Sequence, residues 1–177
     1  NRAEKFVLES EGKKIQCYSW GRGPLVLVVH GWAGRATQFR KIISSFVKQN
    51  YRVVGFDGPA HGKSQGSSTN IREFESALKE IYAKVGEPVG VIAHSFGGGA
   101  VLYAAMNGLR VEKLINIASP TIGDEIIATY LRAINASTST ARFFKSYILQ
   151  TTGNPFDEFT ALHFVKNLDW PMRLLLV

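Results

Sequence analysis

The sequence predicts an α/β fold with a mostly parallel sheet, and three observations carry that expectation. Short apolar runs rich in β-branched residues, such as Leu25–Val29 and Tyr51–Phe56, read as strands buried on both faces. Between such runs lie stretches whose apolar residues step by three and four, the period of an amphipathic helix. The two patterns alternate along most of the chain, as they do in repeated βαβ units.

Taken in order, Lys5–Ser10 and Ile15–Trp20 form an N-terminal hairpin around a Glu-Gly-Lys-Lys turn. Gly21-Arg-Gly-Pro24 breaks the pattern before the strand Leu25–Val29. Residues 36–50 carry Phe39, Ile42, Ile43, Phe46 and Val47 at helical spacing, and Tyr51–Phe56 follows as a strand. A polar loop over 62–70 leads into a helix marked by Ile71, Phe74, Leu78, Ile81 and Val85. Val89–Ala93 is a strand, Gly97–Asn107 a helix of small residues, and Leu114–Ala118 a strand. The alternation then stops. Residues 126–134, 142–149 and 156–168 all read as helix, and Met172–Val177 resumes a buried strand. The expected division is a core over 1–119, a helical lid over 120–170, and a returning core strand over 171–177.

Composition narrows the functional classes. The chain has 177 residues, 45% of them hydrophobic and 20% charged, enough apolar surface to build a core and too regular for a disordered chain. No apolar run approaches the ~20 residues of a membrane-spanning helix, so no membrane span is expected. The net charge is +7, yet no Lys/Arg run exceeds two, and residues 1–50 hold the excess as nine Lys/Arg scattered against three Asp/Glu. A nucleic-acid footprint needs clustering on one face, so a solvated basic surface is the better reading and no nucleic-acid partner is expected. The single Cys17 excludes an internal disulfide and a CxxC site, and makes a reducing, cytoplasmic location the default.

The most informative stretch is Val91-Ile-Ala-His-Ser-Phe-Gly-Gly-Gly-Ala100. A buried strand runs into Ser95 and a helix leaves it, with small residues two before (Ala93) and two after (Gly97). A sharp strand-to-helix turn needs small neighbours, because larger side chains collide while the backbone presents the hydroxyl. This is the pattern of a nucleophile elbow, with Ala in place of the first Gly. The plainer alternative is a buried serine in a tight turn.

Two further segments stand in order with it. The strand Leu25–Val29 ends in His30-Gly31-Trp32-Ala33-Gly34, and the next strand ends in Asp57-Gly-Pro-Ala-His-Gly-Lys-Ser64. With these motifs the chain resembles the α/β-hydrolase family, whose third strand ends in His-Gly and whose fourth is followed by Asp-x-x-Gly-His-Gly-x-Ser. Pro59 and Ala60 stand where Arg-Gly is usual, a departure that touches loop rigidity. The resemblance extends over hairpin, His-Gly loop, elbow, helical lid and returning strand.

What the resemblance implies is a serine hydrolase. Ser95 would be the nucleophile, forming an acyl-enzyme on a small-to-medium carboxylic ester or thioester. The backbone N–H groups of Trp32 and Phe96 would hold the oxyanion. No cofactor or metal is implied, and the partner is a small-molecule substrate. Lid residues 120–170 hold four Lys/Arg against five Asp/Glu and are rich in aromatics, which favours an apolar acyl group. An acyltransferase, a lyase, a cofactor-free peroxidase and a non-catalytic binding protein on the same fold remain open alternatives.

The histidines read as structural. His94 points to the opposite strand face from its neighbours, His30 braces the oxyanion loop, His61 scaffolds the 57–64 turn, and His163 packs beside Phe159 and Phe164. Asp124 and His163 satisfy the family's chain order of acid and then base, but both belong to the lid. In the family the acid follows the seventh strand and the base follows the eighth. Met172–Val177 reads as that seventh strand, so the expectation is an acid and a His beyond Val177.

Competing motifs fail on spacing. Gly58–Ser64 resembles a Walker A loop with one residue too few between its glycines, and no helix opens after it. Gly97-x-Gly99 meets Leu102 where a dinucleotide fingerprint needs Gly or Ala. No His/Cys/Asp/Glu cluster has metal-ligand spacing. Ser95 at the elbow excludes the nucleophilic Asp of family dehalogenases and epoxide hydrolases.

Overall fold

The computed structural model describes residues 3–177. Strands β1 (Glu4–Ser10) and β2 (Lys13–Trp20) form an antiparallel hairpin turned at Glu11 and Gly12. There follow β3 (Leu25–Val29), α1 (Arg40–Lys48), β4 (Arg52–Phe56), α2 (Ile71–Val85), β5 (Gly90–His94), α3 (Phe96–Met106) and β6 (Lys113–Ile117). Three helices come next, α4 (Gly123–Ala133), α5 (Thr138–Thr152) and α6 (Ala161–Lys166), and then β7 (Arg173–Leu176). The described strands make one sheet in the order β1-β2-β4-β3-β5-β6-β7. Every pair from β4 across to β7 is parallel, and the hairpin joins antiparallel through β2 and β4.

The unbroken Leu25-Val-Leu-Val-Val29 run makes sense in this setting. Its alternate residues enter two cores. Leu25, Leu27 and Val29 face α2, α3 and α6, while Val26 and Val28 face Phe39 and Ile43 on the α1 side. A strand covered on both faces needs no polar alternation. Asn70 starts α2, its side-chain oxygen accepting from the N–H groups of Arg72 and Glu73 at 2.9 and 3.1 Å.

Three expectations shift. The helix expected over 36–50 opens as a 3-10 turn, Ala36–Phe39, before α1. The Asp57 carboxylate accepts the Ala36 N–H at 2.9 Å and fixes that start. The helix expected over 156–168 is split at Thr160, whose backbone is extended and whose hydroxyl donates to Asp157 O at 2.7 Å. Its second half, α6, lies against α3 with Phe164 fully buried edge-on to Tyr103. Ala161 and Phe164 therefore belong to the core, inside the 120–170 segment expected as lid.

The third correction concerns the last strand. The run 172–177, expected as a buried strand, forms β7, which among the described residues pairs with β6 alone. Leu175, Leu176 and Val177 are 56%, 60% and 69% exposed. Among the described residues no helix is long and apolar enough to cross a membrane.

Candidate active site

Four loops meet at the carboxyl ends of β3, β4, β5 and β6, the edge at which parallel α/β sheets place their sites. Ser95 occupies the one-residue junction between β5 and α3 with φ 52° and ψ −125°. An L-residue held there stores about 1–3 kcal/mol of strain, so its surroundings must enforce it. They do so through its backbone. The Ser95 N–H donates to Ile117 O at 2.9 Å, and Ser95 O accepts from the Gly98 N–H at 2.9 Å and the Ser119 hydroxyl at 2.7 Å. The Ser95 hydroxyl makes no capping bond to α3.

Space at the junction is what the small residues supply. A Cβ on Gly97 would sit 2.7 Å from Val29 O and closer still to His30 O. One on Gly98 would strike the buried Asn116 amide. The first turn of α3 thus presses directly on β3 and β6. The sequence pattern singles out Ala93 and Gly97; the need at Gly98 comes from a residue eighteen positions away and carries no local signal.

The loop after β3 is a turn closed by the Gly34 N–H donating to Gly31 O at 3.0 Å, with Ala33 at φ 56°. It passes close beside the elbow, since a Cβ on Gly31 would lie 2.9 Å from Ser95 Cβ. Trp32 is 60% exposed, and its ring meets Phe96 edge-on at 5.4 Å and His61 at 5.5 Å. Trp32 and Phe96, the two residues expected to supply oxyanion donors, are therefore brought side by side. Phe96 opens α3, so its N–H has no intrahelical partner and lies at the positive end of the helix dipole.

Two histidines tie this loop to the next. His30 is fully buried, with Nε2 accepting the Gly58 N–H at 2.7 Å and Nδ1 lying 2.7 Å from Gly31 O. An Nε2 that accepts is unprotonated, so Nδ1 carries the proton and donates to Gly31. His61 holds Pro59 O at 2.9 Å through Nδ1 and accepts the Ala33 N–H at 3.1 Å through Nε2. Asp57 completes the brace, its carboxylate accepting from the Ala36 N–H, the Lys63 N–H and, at 3.0 Å, the Tyr18 hydroxyl. Burial, reinforced by Asp57, pushes the Tyr18 phenol up to about 12 and the Cys17 thiol up to about 12.

The other candidates are placed elsewhere. His94 is half-buried with Nδ1 3.4 Å from the Gln38 amide, on the α1 side of the sheet. His163 sits on α6 beside Phe164, and Asp124 pairs with Lys145 rather than with His163. Among the described residues no histidine hydrogen-bonds the Ser95 hydroxyl, and no hydrogen bond joins Asp124 to His163.

Burial holds the His30 imidazole down to about 4, against the Gly31 hydrogen bond and the Asp57 charge, which favour its protonated form. Its pKa is lower folded than unfolded, so the native state binds fewer protons. Stability from this group is present above the unfolded value near 6.5 and is lost as pH falls toward 4, by about 3 kcal/mol in total. Urea unfolding at pH 7 and pH 4 should therefore show a smaller acid-induced loss in His30→Asn than in the wild type. Equal losses would rule out His30 as the titrating brace.

The family model described as alpha/beta hydrolase fold matches residues 24–169. The chain belongs to that family. It is similar to a non-heme haloperoxidase of Rhodococcus erythropolis, 30% identical over 119 residues that cover 64% of this chain and 43% of the relative. It is also similar to a serine hydrolase-like protein of Homo sapiens, 30% identical over 115 residues, 60% of this chain and 56% of that protein. The chain spans about half the length of these curated relatives. Among solved structures, an epoxide hydrolase from Vigna radiata superposes with TM-score 0.62 at 22% identity, over 68% of this chain and 39% of its own. Epoxide Hydrolase A from Mycobacterium thermoresistibile superposes with TM-score 0.61 at 23% identity, over 69% and 41%. Both share the fold.

Proposed function

We propose that the protein is a serine hydrolase that cleaves a small-to-medium carboxylic ester or thioester through an acyl-enzyme at Ser95. The observation that carries this reading is the strained Ser95 junction, φ 52° and ψ −125°, held beside the Gly31–Gly34 turn. Strain of this kind persists where geometry serves chemistry. In the proposed reaction Ser95 Oγ attacks the acyl carbon and loses its proton. The carbonyl oxygen becomes an oxyanion received by the Trp32 and Phe96 N–H groups, and the alcohol or thiol departs with a proton. Water then attacks the acyl-enzyme, releasing the acid and restoring Ser95. No base is assigned among the four histidines of the chain.

The exposed Trp32 ring set edge-on to Phe96 offers an apolar wall beside Ser95, and α4 and α5 follow β6 in the chain. That supports an apolar acyl group and a lid role for these helices. The name of one relative, a bifunctional esterase/perhydrolase of Acinetobacter calcoaceticus, supports a second reading on the same site, in which hydrogen peroxide replaces water as the acyl acceptor. A fluorophosphonate should label Ser95 in the complete natural protein and leave Ser95→Ala unlabelled, as mass spectrometry of the adduct would show. Labelling that persists in Ser95→Ala sinks the assignment. Within a p-nitrophenyl ester series, acetate to octanoate should outrun palmitate and any anionic acyl chain.

A further inference from the structure

We propose that Ser119 is a positioning residue that sets the direction of the Phe96 N–H by holding the carbonyl of Ser95. The inference rests on the reading of Ser95 as nucleophile and extends it to a residue outside the elbow motif.

One rigid peptide group links the two residues. The Ser95 carbonyl and the Phe96 N–H lie on opposite edges of the same planar trans unit, so fixing one fixes the other. The Ser119 hydroxyl donates to Ser95 O at 2.7 Å, adding a side-chain donor to the Gly98 N–H already there. A carbonyl that accepts a hydrogen bond polarises its own peptide, which also makes the Phe96 N–H a better donor. The bond therefore acts on orientation and on strength at the position where negative charge would develop.

Several backbone features bring Ser119 there. β6 delivers Ile117 O to the Ser95 N–H, and Ala118 then adopts φ 48°, a left-handed conformation rare for a residue with a Cβ. The Ala118 N–H is held by Val177 O at 2.8 Å. That turn swings Ser119 back over the elbow, and Pro120 narrows its backbone to extended conformations. Its hydroxyl oxygen lies 2.7 Å from where a Cβ of Gly98 would sit, against the first turn of α3. The end of β6 and the turn after it thus grip both sides of the strained junction: Ile117 through the Ser95 N–H, Ser119 through its carbonyl.

The test compares wild type, Ser119→Ala, Ser119→Thr and Ser119→Val in the complete natural protein, reading ester kinetics and the rate of fluorophosphonate labelling. Ser119→Ala should lose about tenfold in kcat and labelling rate with KM changed by less than about twofold, because a transition-state donor is misaligned while ground-state binding persists. Ser119→Thr keeps the hydroxyl and should recover most of the rate. Ser119→Val has nearly the shape of Thr without the donor and should stay at the alanine level; this pair keeps the test decisive if Ser119→Ala folds poorly. Equal rates for the Thr and Val variants, or wild-type rates in Ser119→Ala, overturn the proposal alone. Failure of the wild type to label at Ser95 overturns the nucleophile reading and this proposal together.

Discussion

Replacing Ser95 by alanine should lower kcat/KM on a short p-nitrophenyl ester by at least about a thousandfold, leaving only what binding and oxyanion donors supply. The fold should barely notice the change. Ser95 Oγ makes no capping bond, and the three hydrogen bonds that hold the junction use its backbone N–H and carbonyl, which alanine keeps. A near-unchanged urea midpoint beside a collapsed rate is the expected pair of measurements. Esterase activity within about tenfold of wild type in Ser95→Ala would mean that the nucleophile lies elsewhere.

The second large effect is expected at Gly97. In Gly97→Ala the new methyl would meet Val29 O at 2.7 Å and His30 O nearer still, and both are backbone atoms that cannot swing aside. The first turn of α3 must lift from β3 instead. Overpacking of this kind costs about 1–3 kcal/mol of stability. The displacement also moves Phe96, whose N–H opens that turn, so the rate should fall about a hundredfold. Gly99, three residues before Leu102 on the same helix, has nothing within 4 Å of its Cβ position, so Gly99→Ala serves as the matched control and should stay near wild type. Equal behaviour of the two variants would rule out close approach as the reason for glycine at 97. Denaturant unfolding and ester kinetics on the same preparations decide it.

Much of this site is legible in the amino-acid sequence. Ser95 lies between a strand-like and a helix-like stretch with small residues two before and two after. The His30-Gly31 and Asp57-to-Ser64 segments stand at the ends of the two preceding strands. Local patterns of this kind are readable because a tight turn is made by neighbours in the chain, and its demands are written within a few residues. The bracing role of His30 is legible for a similar reason, since a histidine at a buried strand end has mainly backbone groups to bond.

Other features have no local trace. The requirement for glycine at 98 arises from Asn116, and the grip of Ser119 on Ser95 spans 24 positions. Phe74 carries one face of the aromatic cluster around Phe96 and His61, yet in the sequence it is one more apolar step of α2. Asp57 reads as part of a loop motif, whereas it joins Tyr18, Ala36 and Lys63 from three different segments.

The sequence by itself therefore determined the alternation of strands and helices, the parallel sheet and the position of the elbow, because hydrophobic period and turn chemistry act over a few residues. Only the tertiary structure decided that α6 enters the core and that the turn after β6 reaches back to hold Ser95. Each of these depends on which surfaces meet. Residues far apart in the chain become neighbours through packing, and no window along the sequence contains that information.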